Sequence, residues 1–304
     1  MTAPAHPPAP RPTVRAGAPG HAAPGHAGLA LRPESARTVR REIGIVLGLS
    51  LGQSAVYAIM RLIDRWTQAP LSGQTTVLNP SLDDRWAFDL TYQLLDIGFA
   101  LVPVALVLHL VWLRGRDPFR ALGLDLRRPV RDLAGGLGLF LAMGLGTLGV
   151  YAAGRAAGIT TAIVANAMDH HWYTVPVLLL SAARHALVEE VIVGAWLLDR
   201  LGRLQSLRAA GASADAPSAE PSGDRMVLPA RVWTVVLGLA VLRGAYHLYQ
   251  GVGPGIGNAL MGVVFTVVLL RGRRVMPLVI AHLLLDAVGF VGYPLLAQAG
   301  LLGT

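Results

Sequence analysis

Residues 173–198 read YTVPVLLLSAARHALVEEVIVGAWLL. A helix needs about 20 apolar residues to cross a hydrocarbon core of about 30 Å, and this stretch is long enough to do so. Near its centre lie two adjacent carboxylates, Glu189 and Glu190. A charge at membrane depth costs about 2.5–3.5 kcal/mol on insertion scales and persists mostly where it faces a protein interior or water. The stretch therefore predicts a membrane-spanning helix inside a bundle, and it indicates that the two carboxylates have a functional role.

The rest of the chain repeats this apolar pattern. Its 304 residues are 53% hydrophobic and 14% charged, whereas soluble domains carry about 25% charged residues. We expect an all-α, polytopic transmembrane helical bundle of about seven spans, or eight if the residues after Phe290 form a separate short one. The six further predicted spans are approximately residues 43–62, 88–112, 133–154, 232–249, 256–270 and 277–296.

The basic residues predict how the bundle is oriented. All 26 are arginines, and they cluster before the first span and after the second, fourth and sixth, while only Arg155 lies between the third and fourth. The positive-inside rule then predicts a multi-pass protein of the plasma membrane with a cytoplasmic amino terminus. The net charge of +8 therefore does not require a nucleic-acid partner. Because the chain has no cysteine, thiolate catalysis and Cys-ligated zinc are excluded.

Two segments have the composition of disordered chain. Residues 1–36 are rich in Pro, Ala, Gly and His without an apolar period, and predict a disordered cytoplasmic tail. Residues 37–304 would form the membrane domain. Within it, residues of about 204–229 include the low-complexity run AAGASADAPSAEPSG, which predicts a flexible cytoplasmic loop.

Ionisable side chains recur one helical turn apart in the late spans. In the fourth span, His185 lies four residues before Glu189, so both occupy one helix face. Adjacent carboxylates such as Glu189 and Glu190 cannot both ionise cheaply, which suits one of them to act as a general base or acid. In the fifth span, Arg243 and His247 again share a face.

The seventh span adds a histidine and a carboxylate at the same spacing. His282 and Asp286 lie one turn apart on an otherwise apolar helix. The carboxylate could fix the orientation of the imidazole, or bind water or a metal ion. The polar side chains of three late spans are thus candidates for a single site.

Together these residues resemble the pattern of the CPBP family of intramembrane glutamic proteases. This family includes the type II CAAX prenyl endopeptidases and bacterial proteins linked to bacteriocin processing or self-immunity. Its pattern is EExxxR in one helix, a histidine ending a later apolar helix, and HxxxN or HxxxD in a last one. The chain matches in order and spacing over residues of about 170–295, but Gly194 stands in place of the EExxxR arginine and Asp286 where CAAX endopeptidases have asparagine.

The resemblance implies a metal-independent endopeptidase that cleaves a membrane-associated protein or peptide without a cofactor. It implies that Glu189 activates a water held with His282, and that Glu190 positions the network. His247 would help to stabilise the tetrahedral oxyanion, and Asp286 would orient His282. Arg243 or Arg184 could supply the charge that is missing at Gly194.

Two other interpretations stay open at this point. The same five carboxylate and imidazole side chains, Glu189, Glu190, His247, His282 and Asp286, could ligate a divalent cation in a metalloprotease, although the sequence has no HExxH motif. The missing arginine would also fit a non-catalytic membrane scaffold or an immunity-type protein.

Overall fold

The computed structural model describes residues 34–212, 225–292 and 294 of the chain. Helices make up 77% of this part, with very little strand, which confirms the predicted all-α membrane bundle. The tail predicted over residues 1–36 lies outside the described residues except for its last three, and most of the possible eighth span does too.

The helices follow one another with short connections. In chain order they are α1 Ala36–Gly48, α2 Leu51–Gln68, α3 Trp86–Ala100, α4 Val102–Leu113, α5 Pro118–Leu122, α6 Pro129–Ala156, α7 Thr174–Leu187, α8 Leu197–Ala212, α9 Val232–His247, α10 Val252–Gly272 and α11 Met276–Ala287. Two π-helical segments continue helices without a break, Val188–Trp196 between α7 and α8, and Val288–Gly292 after α11. Single 3₁₀ turns occupy Leu71–Gly73 and Leu248–Gln250.

Four helical runs are long and apolar enough to cross a membrane: Trp86–Leu113, Pro129–Ala156, Val232–Gln250 and Val252–Gly272. They correspond to the second, third, fifth and sixth predicted spans. The outer faces of these helices carry exposed side chains such as Phe99, Leu145 and Val241. Exposed apolar surface of this extent is what a lipid-facing bundle presents and a soluble monomer avoids.

The first predicted span is not one straight helix. α1 and α2 meet at a bend of 50°, and count as one crossing only if the bent pair is a single span. At the bend the backbone of Gly52 passes so close to Leu47 that a Cβ on Gly52 would lie 2.6 Å from the Leu47 carbonyl oxygen. The predicted span over residues 43–62 is thus interrupted at Leu49 and Ser50.

The fourth predicted span belongs to a longer helical run over residues 174–212, so the helix does not end at Leu198. It continues into the segment predicted as a loop, of which residues 213–224 lie outside the described part. The seventh predicted span corresponds to the shorter apolar helix Met276–Gly292.

The extension of α8 sets the level at which α9 begins. The backbone N–H of Arg231 donates to Oε1 of Gln205 at 2.8 Å, so the start of α9 lies beside the middle of α8. Glu189 and His247 are each sixteen residues from this contact along their own helices. At 1.5 Å per residue both lie about 24 Å from it, and therefore at the same depth of the bundle.

Ion pairs join the arginine clusters at one end of the bundle. The pairs link the segment before α1, the segments after α4 and α5, α8, and the turn between α10 and α11, with distances of 2.8–2.9 Å between nitrogen and oxygen. They are Arg116–Asp199, Arg200–Glu34 and Arg274–Asp125.

A short parallel sheet closes the opposite end of α9. Strand β1, Thr75–Val77, pairs with β2, Ala162–Val164. The hydroxyl of Thr161, next to β2, donates to the backbone carbonyl of Gln250 at 2.8 Å. Gly251 adopts a φ of +111° and approaches Thr160 closely, so a side chain there would be both strained and crowded. These contacts hold the end of α9 against the sheet.

Candidate active site

The two glutamates lie at the start of the π-helical segment Val188–Trp196, in the interior of the bundle. Glu190 is fully buried and Glu189 is 6% exposed. Apolar side chains of the same segment, including the fully buried Ile192 and Trp196, form part of the hydrophobic core. π-helical turns are rare and occur frequently at functional sites. Both carboxylates are thus shielded from water, and each needs a hydrogen-bonding or charged partner within the protein.

Arg243 of α9 is the counter-ion of both glutamates. One of its Nη atoms donates to Oε1 of Glu190 at 2.7 Å, and the other lies 3.2 Å from Oε2 of Glu189. Close packing of α9 on α10 brings Arg243 there, because Gly262 leaves its side chain room at the helix contact. The guanidinium carbon also lies 5.3 Å from the centre of the Phe265 ring. A buried charge persists when it is paired in this way.

His282 of α11 meets Glu190 from the other side. Its Nδ1 lies 2.8 Å from Oε1 of Glu190. An ionised carboxylate can only accept a hydrogen bond, so His282 donates from Nδ1. Glu190 therefore joins three elements: its own π-helical segment, α9 through Arg243, and α11 through His282.

Glu189 faces the end of α9. The hydroxyl of Tyr246 donates to its Oε2 at 2.9 Å, and Nε2 of His247 lies 3.6 Å from the same oxygen. Among the described residues, this buried Nε2 has no hydrogen-bond partner. A separation slightly beyond hydrogen-bonding distance between two polar atoms is one that a water molecule or a substrate atom can bridge.

The other nitrogen of His247 faces Gln250. The side-chain amide nitrogen of Gln250 lies 3.5 Å from Nδ1 of His247, and it also donates to the Tyr249 hydroxyl at 2.9 Å. Because an amide nitrogen is a donor only, Nδ1 of His247 acts as the acceptor, and the proton of the neutral imidazole is on Nε2. His247 thus directs an N–H toward Glu189.

A chain of polar side chains leads from His282 toward the surface. Asp286 lies 3.7 Å from Nε2 of His282 and 3.3 Å from Nδ1 of His185. The other ring nitrogen of His185 contacts Arg184, which pairs with the exposed Asp96. The chain thus runs from the buried His282 to the exposed Asp96 at the rim.

The structure brings together the residues that the sequence singled out. Five of them form one buried network, and the remaining two, Asp286 and His185, adjoin it through His282. The five are Glu189, Glu190, Arg243, His247 and His282. Of the two arginines considered for the charge missing at Gly194, Arg243 pairs with the glutamates and Arg184 pairs with Asp96.

The sequence did not single out Tyr246 and Gln250 as site residues. Tyr246 directly precedes His247 and follows Arg243 by three residues, so the helical spacing places it beside both. Gln250 lies one turn after Tyr246. Polar side chains that flank a membrane-depth histidine are the sequence signal that could have found them.

The same donor set has the composition of a metal site. Ligand atoms of Glu189, Glu190 and His282 lie within 4.8 Å of one another. Carboxylate and imidazole groups are suitable ligands for divalent cations such as Zn²⁺. However, the Arg243 guanidinium already lies 2.7–3.3 Å from an atom of each of the three. A metal ion would have to compete with this positive charge for the same atoms.

This arrangement can perform hydrolysis. It contains the carboxylate of Glu189, which can act as a base, and the imidazole N–H of His247, which faces this carboxylate. The ion pair with Arg243 holds Glu189 in place. A general base and a donor for a developing oxyanion are the groups that acyl transfer to water requires.

Comparison with known proteins agrees with this geometry. Searches of curated proteins and of solved structures found no match. Residues 171–288 match the family model described as type II CAAX prenyl endopeptidase, Rce1-like. The matched region runs from just before α7 to just after α11, and contains every residue of the buried network. Residues 171–288, which hold the buried network, are therefore similar to Rce1-like type II CAAX prenyl endopeptidases, and this match supports the resemblance seen in the sequence.

Proposed function

We propose that the chain is a metal-independent glutamic endopeptidase that hydrolyses a peptide bond of a membrane-associated protein or peptide. The observation that carries this proposal is the position of Glu189. Its carboxylate is held by Arg243 and Tyr246, and faces the unpartnered Nε2 of His247 at 3.6 Å.

In the proposed reaction, a water molecule lies beside Glu189, and its oxygen attacks the carbonyl carbon of the substrate. Glu189 accepts the proton of this water, and the carbonyl π electrons move to the oxygen. The N–H at Nε2 of His247 donates to that oxyanion. When the intermediate collapses, the C–N bond breaks, and Glu189 returns its proton to the leaving amine.

Glu190 and His282 act as positioning groups in this proposal. Glu190 is fully buried and accepts hydrogen bonds from both Arg243 and His282, so it is less able than Glu189 to bind a water. It fixes the guanidinium that also pairs with Glu189. His282 is therefore expected to act through Glu190, with Asp286 behind it, instead of contacting Glu189 directly.

Metal independence is supported by Arg243. Its guanidinium lies between the two buried carboxylates and places a positive charge where a metal ion would have to bind. We expect cleavage to survive strong chelators, and added Zn²⁺ not to stimulate it. Loss of activity on chelation, with recovery on adding one divalent metal, would instead identify the metalloprotease alternative.

The test of the function compares cells that carry the wild-type chain, Glu189→Gln or Asp84→Asn. Asp84 is an exposed carboxylate in the segment before α3 and serves as the matched control. Quantitative membrane proteomics should find an uncut precursor that accumulates only with Glu189→Gln, although the variant inserts at wild-type level. Identical peptide patterns in all three strains would contradict the protease proposal and favour a scaffold or immunity role.

We further propose a plasma-membrane location with the amino terminus in the cytoplasm. Arginines of the clusters after the second, fourth and sixth spans pair at one end of the bundle, two of them with Glu34 and Glu42 beside the first cluster, as the positive-inside rule requires of a cytoplasmic face. Fluorescent reporter fusions at residues 127 and 218 should be active only in the cytoplasm, and alkaline phosphatase fused at residue 158 should be active outside. The reverse pattern would invert the proposed orientation.

A further inference from the structure

The polar contacts of the Glu189 carboxylate all reach the same one of its two oxygen atoms. The Tyr246 hydroxyl donates to Oε2 at 2.9 Å, an Nη atom of Arg243 lies 3.2 Å from Oε2, and Nε2 of His247 lies 3.6 Å from it. No described residue donates a hydrogen bond to Oε1, and that atom keeps some accessible surface. Glu189 therefore has one oxygen held by protein donors and one left open to a water molecule.

Tyr246 and His247 approach Oε2 of Glu189 side by side. They are consecutive residues at the end of α9, and the centres of their rings lie 4.9 Å apart. Among the described residues, the Tyr246 hydroxyl has its one hydrogen bond with Glu189, and Nε2 of His247 has none. A second negatively charged oxygen next to Oε2 would thus meet an O–H and an N–H together.

The proposed reaction requires a further donor for the oxyanion. Oxyanion sites for acyl transfer are built from donors that converge on one point, and serine proteases use two of them. His247 supplies one. Asp286 stands where CAAX endopeptidases have asparagine, and an ionised carboxylate cannot donate. His282 cannot replace it from Nδ1, because that nitrogen already donates to Glu190.

We propose that Tyr246 is a catalytic residue that donates the second hydrogen bond to the oxyanion, beside His247. The proposal rests on the proposed endopeptidase function. In the resting site the phenol donates to the ionised Glu189. When Oε1 takes the proton of the attacking water, Glu189 becomes neutral and Oε2 becomes a weaker acceptor, since hydrogen bonds to ionised groups are the stronger ones. The negative charge is then on the substrate oxygen, and the phenol O–H turns toward it.

Tyr246 keeps its proton throughout this sequence. The water oxygen forms a bond to the carbonyl carbon, and the π electrons move to the substrate oxygen, where the O–H of Tyr246 and the N–H of His247 bind the charge. On collapse these electrons form the carbonyl bond again, the C–N bond breaks, and the proton on Oε1 of Glu189 passes to the leaving nitrogen. Oε2 then regains its charge, and the phenol donates to it as before. A hydroxyl redirects its hydrogen by rotation about the C–O bond, so the ring does not have to move.

The test measures cleavage of the precursor that accumulates with Glu189→Gln, purified and mixed with each full-length variant in detergent. Tyr246→Phe removes only the hydroxyl. We expect kcat to fall about 10²-fold and KM to stay within twofold of wild type, because the hydrogen bond to the substrate is made only in the transition state. Tyr92→Phe removes the hydroxyl of an exposed tyrosine of α3 and is the matched control, with wild-type cleavage expected. Wild-type cleavage by Tyr246→Phe would overturn the proposal.

A binding measurement separates donation to the oxyanion from mere positioning of Glu189. One peptide carries the cleavage sequence of the precursor with a phosphinate in place of the scissile amide, and so presents charged oxygens on a tetrahedral centre. A second peptide carries an N-methylated scissile amide. On Tyr246→Phe the affinity for the phosphinate should fall by about the same factor as kcat/KM, and the affinity for the amide should not change.

Two results of this measurement would contradict the proposal. If Tyr246→Phe lowered kcat but bound the phosphinate as tightly as wild type, the phenol would only position Glu189. If it lost affinity for both peptides equally, the hydroxyl would have a structural role in the site. Because Arg243 still pairs with Glu189 in this variant, we expect its unfolding temperature to match that of the wild type.

Failure of this assignment and failure of the proposed function give different results. If Glu189→Gln accumulates no precursor, the protease proposal falls and the role of Tyr246 falls with it. If Glu189→Gln accumulates a precursor that Tyr246→Phe cleaves at the wild-type rate, the protease proposal stands and only the assignment of Tyr246 falls.

Discussion

Arg243 of α9 donates a 2.7 Å hydrogen bond to Glu190 of the π-helical segment, and both side chains are almost completely withdrawn from solvent. The same guanidinium lies 3.2 Å from Glu189. One cation therefore pairs with two buried carboxylates. Breaking a buried ion pair by removing one partner costs about 3–5 kcal/mol, because an unpaired charge stays behind.

The first prediction concerns this pair. Arg243→Gln should abolish cleavage and lower the free energy of unfolding by about 3–5 kcal/mol. The double variant Arg243→Gln, Glu190→Gln should recover part of the stability, because the charge of Glu190 is gone while that of Glu189 stays, but not the activity. Thermal unfolding in detergent and a cleavage assay measure the two effects.

Arg271→Gln provides the control for this pair, since Arg271 is exposed at the end of α10. It should leave both stability and cleavage at wild-type level. If Arg243→Gln were as stable as this control, the guanidinium would not be the counter-ion of the glutamates.

The second prediction concerns the imidazole of His247. The side chain of Gln250 donates to Nδ1 and keeps the proton on Nε2, which faces Glu189. Gln250→Met has nearly the same shape but cannot donate, so we expect kcat to fall about tenfold while KM changes little. Removal of a whole oxyanion donor, as in His247→Ala, should cost about 10²–10³ in kcat.

The fold at this point does not depend on the Gln250 side chain. Thr161 holds the backbone carbonyl of Gln250, and that contact is retained in Gln250→Met. Unfolding temperatures should therefore match the wild type. A parallel loss of stability and activity would assign Gln250 a structural role instead.

The apolar periods predicted the helical class, and the spacing of ionisable residues predicted most of the site. Charges inside an apolar helix are conspicuous in sequence, because each one costs free energy unless it is paired or functional. His185, Glu189 and His282 were all visible for this reason. The partners of each residue could not be read in the same way, since they depend on how α7, α9 and α11 rotate against one another.

The depth of His247 illustrates this limit. With the predicted boundaries 173–198 and 232–249, Glu189 is nine residues from the cytoplasmic end of its span and His247 is fifteen from the cytoplasmic end of its own, which would place them at different depths. The sequence did not indicate that α8 continues to Ala212, or that α9 starts beside Gln205. Both facts arise from packing between helices, and together they bring Glu189 and His247 to the same level.

For the same reason, the sequence did not show which arginine replaces the one missing from the EExxxR motif. With Gly194 at the motif position, Arg184 and Arg243 were equally available in sequence. Packing decides between them, because Arg184 extends toward Asp96 and Arg243 lies between the glutamates. A Cβ on Gly194 would lie 3.4 Å from the unpartnered Oε2 of Glu190. Gly194 of the π-helical segment and Arg243 of α9 therefore approach the carboxylate of Glu190 from different helices.

The third prediction concerns the contact that positions α11. Arg274 pairs with Asp125 and with the buried Asp132, and thereby ties the start of α11 to the start of α6. Arg274→Ala should lower the free energy of unfolding by about 3 kcal/mol, because Asp132 would be left buried and unpaired. The exposed Arg273→Ala is the adjacent control.

The pH dependence of this contact has a definite sign. Burial raises the pKa of Asp125, but the hydrogen bonds from Arg274 and from the backbone of Arg127 outweigh it and hold that pKa below its usual value. A carboxyl whose pKa is lower in the folded state stabilises the fold above its unfolded pKa of about 3.9, and that contribution is lost as the pH falls through the folded value. The stability gap between wild type and Arg274→Ala should be constant from pH 5 to 7 and narrow below about pH 4. A gap that widened on acidification would contradict the pairing.

The fourth prediction tests Asp286, which stands where CAAX endopeptidases have asparagine. His282 donates from Nδ1 to Glu190, so its Nε2 faces Asp286 at 3.7 Å. An asparagine amide can donate to a neutral Nε2, and a carboxylate can accept from a protonated one, so either residue can orient the ring. Asp286→Asn should therefore keep cleavage within about threefold of wild type, whereas Asp286→Ala should lose about 10–100-fold, as for other partners that orient a functional histidine.

His185→Gln tests the same carboxylate from its other side, 3.3 Å away, and should reduce cleavage less than Asp286→Ala because His282 keeps its partner. If Asp286→Asn were as inactive as Asp286→Ala, the negative charge itself would be required, and Asp286 would take part in proton transfer instead of orienting His282.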